Sequence, residues 1–176
     1  AGDFAPRRPP LLHGAGIRAI RLDAVGFAVK KAGTSGFMIP ETFAFIAGLT
    51  AQAHALGMEV LVEVHGHYQD QLDVARHVDW VYDFALPPLI LHTIYTRSAA
   101  VLKHWLQIRP RNAITVLDTH DGIGVVDVDA ARGKTGAPGL LTRDEIDMVV
   151  NIGKPGPDAW FDRLPRLAYD QVVTAI

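Results

Sequence analysis

Apolar positions along this chain switch between two periods. Residues 17–23 (IRAIRLD) alternate apolar and charged side chains and end on a carboxylate, which predicts a strand. Residues 25–39 are rich in Gly, Lys, Ser and Thr and predict a long loop. Pro40 suits a first helical position. Phe43, Ile46, Leu49, Ala53 and Leu56 follow at near-helical spacing, and Gly57 supplies a stop. Residues 58–64 (MEVLVEV) form a short β-branched run suited to a buried parallel strand. Residues 68–77 predict a short helix and 80–86 a third strand. Pro87 and Pro88 open a helix running through Leu106, and 113–117 read as a fourth strand. Thr142 and Glu145 fit a capping box, with Ile146, Val149 and Val150 continuing a final helix. Residues 1–16, with Pro6, Pro9, Pro10 and three glycines, show neither period and are expected to be a poorly ordered arm.

Strands separated by helices in the order β-α-β-α-β-α-β imply an α/β fold with a parallel sheet and crossover connections. Hydrophobic residues make up 49% of the 176, which suffices for one core and excludes wholesale disorder. A complete (β/α)₈ barrel needs about 200–250 residues, so a whole one does not fit. The net charge of −2 recommends neither nucleic acid nor an anionic membrane as partner. No apolar run approaches a membrane span, and residues 1–16 lack the apolar core of a signal peptide. With no cysteine there is neither disulfide framework nor thiolate chemistry, and a cytoplasmic location is compatible.

Carboxylates gather at predicted strand ends: Asp23 after the first, Glu63 near the end of the second, and Asp118 and Asp121, with His120, after the fourth. In parallel α/β sheets chemistry collects at the carboxyl ends of strands. Arg21 lies two residues before Asp23 on the same strand face, so it would hold Asp23 ionised, as suits a nucleophile. Glu63 sits between Val62 and Val64, and partial burial there would favour its protonated form, as a general acid requires. Each such Asp alone reads equally as a cap, and Arg21–Asp23 as a structural ion pair. Glu63, His65 and His67, with His120 and Asp121, allow a metal site as a second reading; a histidine-lined polar pocket is the plainer one. His54 and His104 fall in helical stretches as surface or packing residues. Trp80, Tyr82 and Phe84 read as core or pocket lining, with core favoured.

The wording of these segments is more specific than their pattern. Arg21-Leu-Asp-Ala-Val-Gly26 resembles the fourth-strand motif of the α-amylase superfamily, glycoside hydrolase family 13. Val62-Glu-Val-His65 resembles its fifth-strand motif, and Val116-Leu-Asp-Thr-His-Asp-Gly122 its seventh. Ala32-Gly-Thr-Ser-Gly-Phe-Met38, Val81-Tyr-Asp-Phe-Ala-Leu-Pro-Pro88 and His120-Asp-Gly-Ile-Gly-Val125 are similar to the sucrose phosphorylase branch. The resemblance runs from about Ile17 to Val150. It implies a partial TIM barrel, strands 4 to 7, over residues 17–150, with 151–176 as a divergent tail.

The resemblance also implies roles. Asp23 is the nucleophile, Glu63 the acid/base and Asp121 the transition-state stabiliser. Arg21 orients Asp23, His120 binds the glucosyl unit, and His65 faces the leaving group or acceptor. The implied reaction is a retaining double displacement giving α-glucose 1-phosphate, with sucrose or a related α-glucoside and phosphate as substrates. No metal or organic cofactor is implied, and a homodimer is kept open for a full-length enzyme. Phe27 stands where the branch usually carries tyrosine, and Gly66-His67 also departs from its usual wording. Both changes point to donors such as glucosylglycerol, glucosylglycerate or a sucrose phosphate as alternatives to sucrose. A hydrolase or transglucosidase of the same superfamily is the neighbouring alternative, and a non-catalytic half barrel the third. The chain alone is expected to be inactive and poorly soluble, because an open sheet leaves two edges unpaired.

Overall fold

The computed structural model describes residues 8–117, 122–130 and 137–151. In chain order the elements are α1 (Arg8–Gly14), β1 (Ala19–Leu22), a 3₁₀ turn (Val25–Phe27), α2 (Pro40–His54), β2 (Glu59–Val62), α3 (Tyr68–Val74), β3 (Trp80–Asp83), α4 (Leu86–Thr96), α5 (Ala100–Ile108), β4 (Ala113–Thr115) and α6 (Arg143–Asn151). The four strands form one sheet in the order β1-β2-β3-β4. β1 and β2 are parallel, with Leu22 opposite Val62. β2 and β3 are parallel, with Val62 opposite Val81. β4 joins at β3, where the Val81 N–H bonds to the Asn112 carbonyl at 3.1 Å. The expected α/β order with a sequential sheet is what the chain forms.

Two compact units divide the chain. One comprises residues 1–64, 70–82 and 110–114; the other comprises 65–69, 83–109 and 115–176. The first unit holds a core of Val25, Met38, Ile46, Ala53, Met58, Val60, Val62, Val64, Val74, Val78 and Val81. Its logic is the strand period: alternate residues of β2, Val60 and Val62, are buried and meet α2. Asn112 ties the lower loops together by donating to the carbonyls of Ala75 and Val78. In the second unit α4 packs on both α5 and α6, and Leu89, Trp105, Val128, Ile146 and Val149 are buried.

Three expectations need correction. Residues 8–14 are helical, not irregular. Pro9 and Pro10 fall in the first turn of α1, where no backbone donor is required. The single helix expected from Pro87 to Leu106 is two. Arg97 takes a left-handed conformation (φ 54°) that ends α4. Thr96 helps stop it, since its hydroxyl donates back to the His92 carbonyl and accepts the Ser98 N–H. The strands are also shorter than their apolar runs, each spanning three or four residues. The capping box forms as expected: the Glu145 carboxylate accepts the Thr142 N–H at 2.8 Å, and the Thr142 hydroxyl accepts the Glu145 N–H at 3.4 Å.

Candidate active site

β1 and β2 end side by side, and the site of the first unit follows from that. One residue past the Leu22–Val62 pair the chain reaches Asp23 and Glu63, and the Glu63 N–H still bonds to the Leu22 carbonyl at 3.0 Å. The register of β2 with β3 carries the same row on to Tyr82. Neighbouring strands lie about 4.8 Å apart, so residues on one row are held at close to carboxylate-pair spacing by the backbone alone.

Arg21 sits one step below on the same face. Its Nη2 lies 3.4 Å from Asp23 Oδ1, and its Nη1 bonds to Glu63 Oε2. One guanidinium therefore joins both carboxylates. The pKa of Arg21 is raised, first by the charge of Glu63 and then by Asp23 and the Tyr82 hydroxyl, which also bonds to it. The expected Arg21–Asp23 pair is present, but Arg21 holds Glu63 as well. Burial of Glu63 also holds: it is 5% exposed. The Asp23 side chain is open, at 66%. Immediately after it Ala24 adopts φ 44° and ψ 33°, a left-handed conformation unfavourable for a residue with a Cβ. That turn sends the chain off the sheet into the Val25–Phe27 turn. Phe27 is half exposed, its ring centroid 4.9 Å from that of Phe37 and 4.7 Å from Lys30 Nζ.

In the second unit His65 stacks on Phe84 with centroids 3.8 Å apart. Its Nδ1 lies 3.2 Å from Oδ2 of Asp127, a fully buried carboxylate whose Oδ1 accepts the Gly66 N–H at 3.2 Å. His67 has both ring nitrogens in hydrogen bonds. Nε2 donates to the Pro138 carbonyl at 3.0 Å, and Nδ1 accepts the Gln69 N–H at 3.3 Å. That engagement uses His67 structurally; the metal reading also drew on His120 and Asp121, which lie outside the described residues. Asp83, at the end of β3, is a buried anchor. It accepts Trp105 Nε1–H at 2.8 Å and the Leu86 N–H at 3.2 Å, and pairs with Arg109 at 2.9 Å. Burial pushes its carboxyl pKa up, against the pull of Trp105, Arg109 and the Leu86 N–H.

Asp118, His120 and Asp121 lie outside the described residues. Two residues were missed as site members. Tyr82 read as core or pocket lining with core favoured, although the register of β2 with β3 puts it on the row of Glu63. Asp127 carried no signal: its partners, His65 and Gly66, lie about sixty positions away.

No protein-family model matches the chain. It is 61% identical over 136 residues to a sucrose phosphorylase of Agrobacterium vitis, an alignment covering 77% of this chain and 28% of that protein. The crystal structure of sucrose 6F-phosphate phosphorylase from Thermoanaerobacter thermosaccharolyticum superposes with a TM-score of 0.71 at 37% identity, over 81% of this chain and 28% of that one. A short likeness of another kind covers 29 residues at 83% identity with a Streptomyces coelicolor protein named as an NADH dehydrogenase or NAD(P)H nitroreductase, 16% of this chain and 15% of that protein. This chain thus spans about 28% of the length of the phosphorylases it matches. The motifs, the parallel α/β sheet and the two phosphorylase likenesses agree: the chain belongs to the sucrose phosphorylase branch of the α-amylase superfamily, glycoside hydrolase family 13, as a segment of its (β/α)₈ barrel covering strands 4 to 7.

Proposed function

We propose that this segment supplies the nucleophile and the acid/base of a retaining α-glucoside phosphorylase. The observation that carries the proposal is the shared row of Asp23 and Glu63 on adjacent strands, joined by Arg21. Retaining enzymes need two carboxyl groups about 5–5.5 Å apart, and adjacent parallel strands supply that spacing.

In the first step an Asp23 oxygen attacks the anomeric carbon of the glucosyl unit. The bond to the leaving oxygen breaks, and Glu63 gives that oxygen its proton. A β-glucosyl ester of Asp23 and a free co-product result. In the second step phosphate attacks the same carbon, Glu63 takes the phosphate proton, and the ester bond breaks to return the Asp23 carboxylate. Two inversions give α-glucose 1-phosphate. Arg21 suits both halves. When Asp23 is a neutral ester, Glu63 is the remaining anion, and the Arg21–Glu63 pair is the arrangement that half-reaction uses. Asp121 stabilises the oxocarbenium-like transition state and His120 binds the glucosyl unit. His65 and Phe27 face the leaving-group or acceptor side. Sucrose is the leading donor, with sucrose phosphate, glucosylglycerol and glucosylglycerate as alternatives. The setting is cytoplasmic, without nucleic acid or membrane, and the full-length enzyme is a candidate homodimer. No helix of the described residues is long and apolar enough to cross a membrane.

The test is a hybrid in which residues 17–150 replace the matching segment of the Agrobacterium vitis enzyme. Glucose 1-phosphate release from sucrose and phosphate is expected. Glu63→Gln should lower it about 10²–10⁴-fold, and Asp23→Asn by at least as much. A folded hybrid that releases free glucose in place of glucose 1-phosphate is instead a hydrolase. One indifferent to Asp23→Asn would overturn the assignment.

A further inference from the structure

We infer that Asp127 is a positioning residue that fixes the tautomer and the plane of His65. The observations lie within one compact unit. Asp127 is fully buried, and its two oxygens are divided between the His65 ring and the backbone that follows it: Oδ2 meets His65 Nδ1 and Oδ1 accepts the Gly66 N–H, both at 3.2 Å. A carboxylate facing a ring nitrogen favours the proton on that nitrogen, so in the neutral imidazole Asp127 holds the hydrogen of His65 on Nδ1. The second restraint is Phe84, whose ring lies at 23° to the imidazole plane and stacks against it. Hydrogen bond and stack together leave the ring no freedom to flip.

The loop bearing Asp127 is itself pinned. The Val128 and Asp129 N–H groups bond to the Val125 carbonyl, and Leu141 N–H bonds to the Val128 carbonyl. Gly139 lies so close behind that a Cβ there would meet the Val128 oxygen at 2.4 Å. On the other side, a Cβ on Gly124 would stand 3.7 Å from Asp127 Oδ2 and 3.9 Å from His65 Nδ1. A carboxylate built into such a frame acts as the orienting member of a carboxylate–imidazole pair. In the phosphorylase reading, on which this consequence rests, Asp127 acts through the orientation of His65 and touches no substrate.

The experiment uses the full chain labelled with ¹⁵N-histidine, and reads tautomers from long-range ¹H–¹⁵N spectra, with the His65 signal assigned by its loss in His65→Gln. In the native chain the Nδ1–H form is expected to exceed the Nε2–H form by about tenfold or more, as a charge-assisted hydrogen bond requires. Asp127→Asn should reduce that excess about tenfold, and Asp127→Glu should restore part of it. An Nε2–H form dominant in the native chain overturns the inference, whether or not any variant folds. An unchanged tautomer ratio in a folded Asp127→Asn chain overturns it equally. The tautomer is read without substrate, so failed phosphorolysis leaves a positive result standing. A wrong tautomer removes the positioning role even where phosphorolysis is found.

Discussion

At the scale of single residues, Arg21 carries the most consequence. Among the described residues it is the one side chain bonded to both Asp23 and Glu63, so its removal leaves two neighbouring carboxylates without this shared cation. In the hybrid enzyme Arg21→Ala is expected to lower kcat about 100-fold with a much smaller change in KM, because it disturbs the geometry of the reacting groups more than ground-state binding. Steady-state kinetics against sucrose would check this, and a change confined to KM would contradict it. Asp83 is the structural counterpart. Asp83→Ala strands a buried Trp105 indole N–H and removes the Arg109 ion pair, and should cost about 3–5 kcal/mol in urea unfolding. The Arg21–Asp23 pair was legible from their two-residue spacing. That Arg21 also reaches Glu63, 42 residues on, was not, because only strand register sets that neighbourhood.

At the scale of elements, helix starts and stops decide where each helix is held. α6 is held by its capping box and by His92 of α4, whose Nε2 lies 3.1 Å from Glu145 Oε1. The Glu145 carboxyl is lowered, first by the Thr142 backbone N–H, with the Thr142 hydroxyl and His92 adding and burial opposing. A carboxyl whose folded-state pKa is depressed stabilises the fold above its ordinary value and loses that contribution as pH falls through the folded value. Glu145→Gln should therefore be about 1 kcal/mol less stable than the parent at pH 7. The gap should close as the pH drops well below the ordinary glutamate range, and urea titrations at several pH values would measure it. A gap that persists in acid would show that the box works without charge. Gly139→Ala is expected to destabilise more severely, since its Cβ meets backbone atoms of residues 128–130 that have no side-chain freedom to yield. The capping box was readable from Thr142 and Glu145 alone. The break at Arg97 was not, because apolar spacing resumes directly after the short polar triplet Thr96-Arg97-Ser98 and the stop comes from local hydroxyl bonding at Thr96.

For the whole molecule, among the described residues the sheet runs β1-β2-β3-β4 with β1 and β4 at its margins, and the margin of a sheet carries backbone donors and acceptors along one side. The chain alone is expected to associate with rising concentration, and sedimentation velocity would read this; a monomer across the whole range would contradict it. Because it spans about 28% of the phosphorylases it matches, and because Asp23 is two-thirds open to solvent, the isolated chain should release no glucose 1-phosphate from sucrose. Measurable phosphorolysis by a monomeric sample would refute that.

By itself the sequence determined the alternation of four strands with helices, the class of fold, and the placing of Asp23 and Glu63 just past the first two strands. These depend on hydrophobic period, turn chemistry and local motif, all of which act over a few residues. Tertiary structure alone decided that Arg21 bridges two strands, that Tyr82 stands on the row of Glu63, and that Asp127 meets His65. Each of these follows from parallel pairing or loop packing between positions tens of residues apart. No local signal encodes a distance that only the register of neighbouring backbones sets.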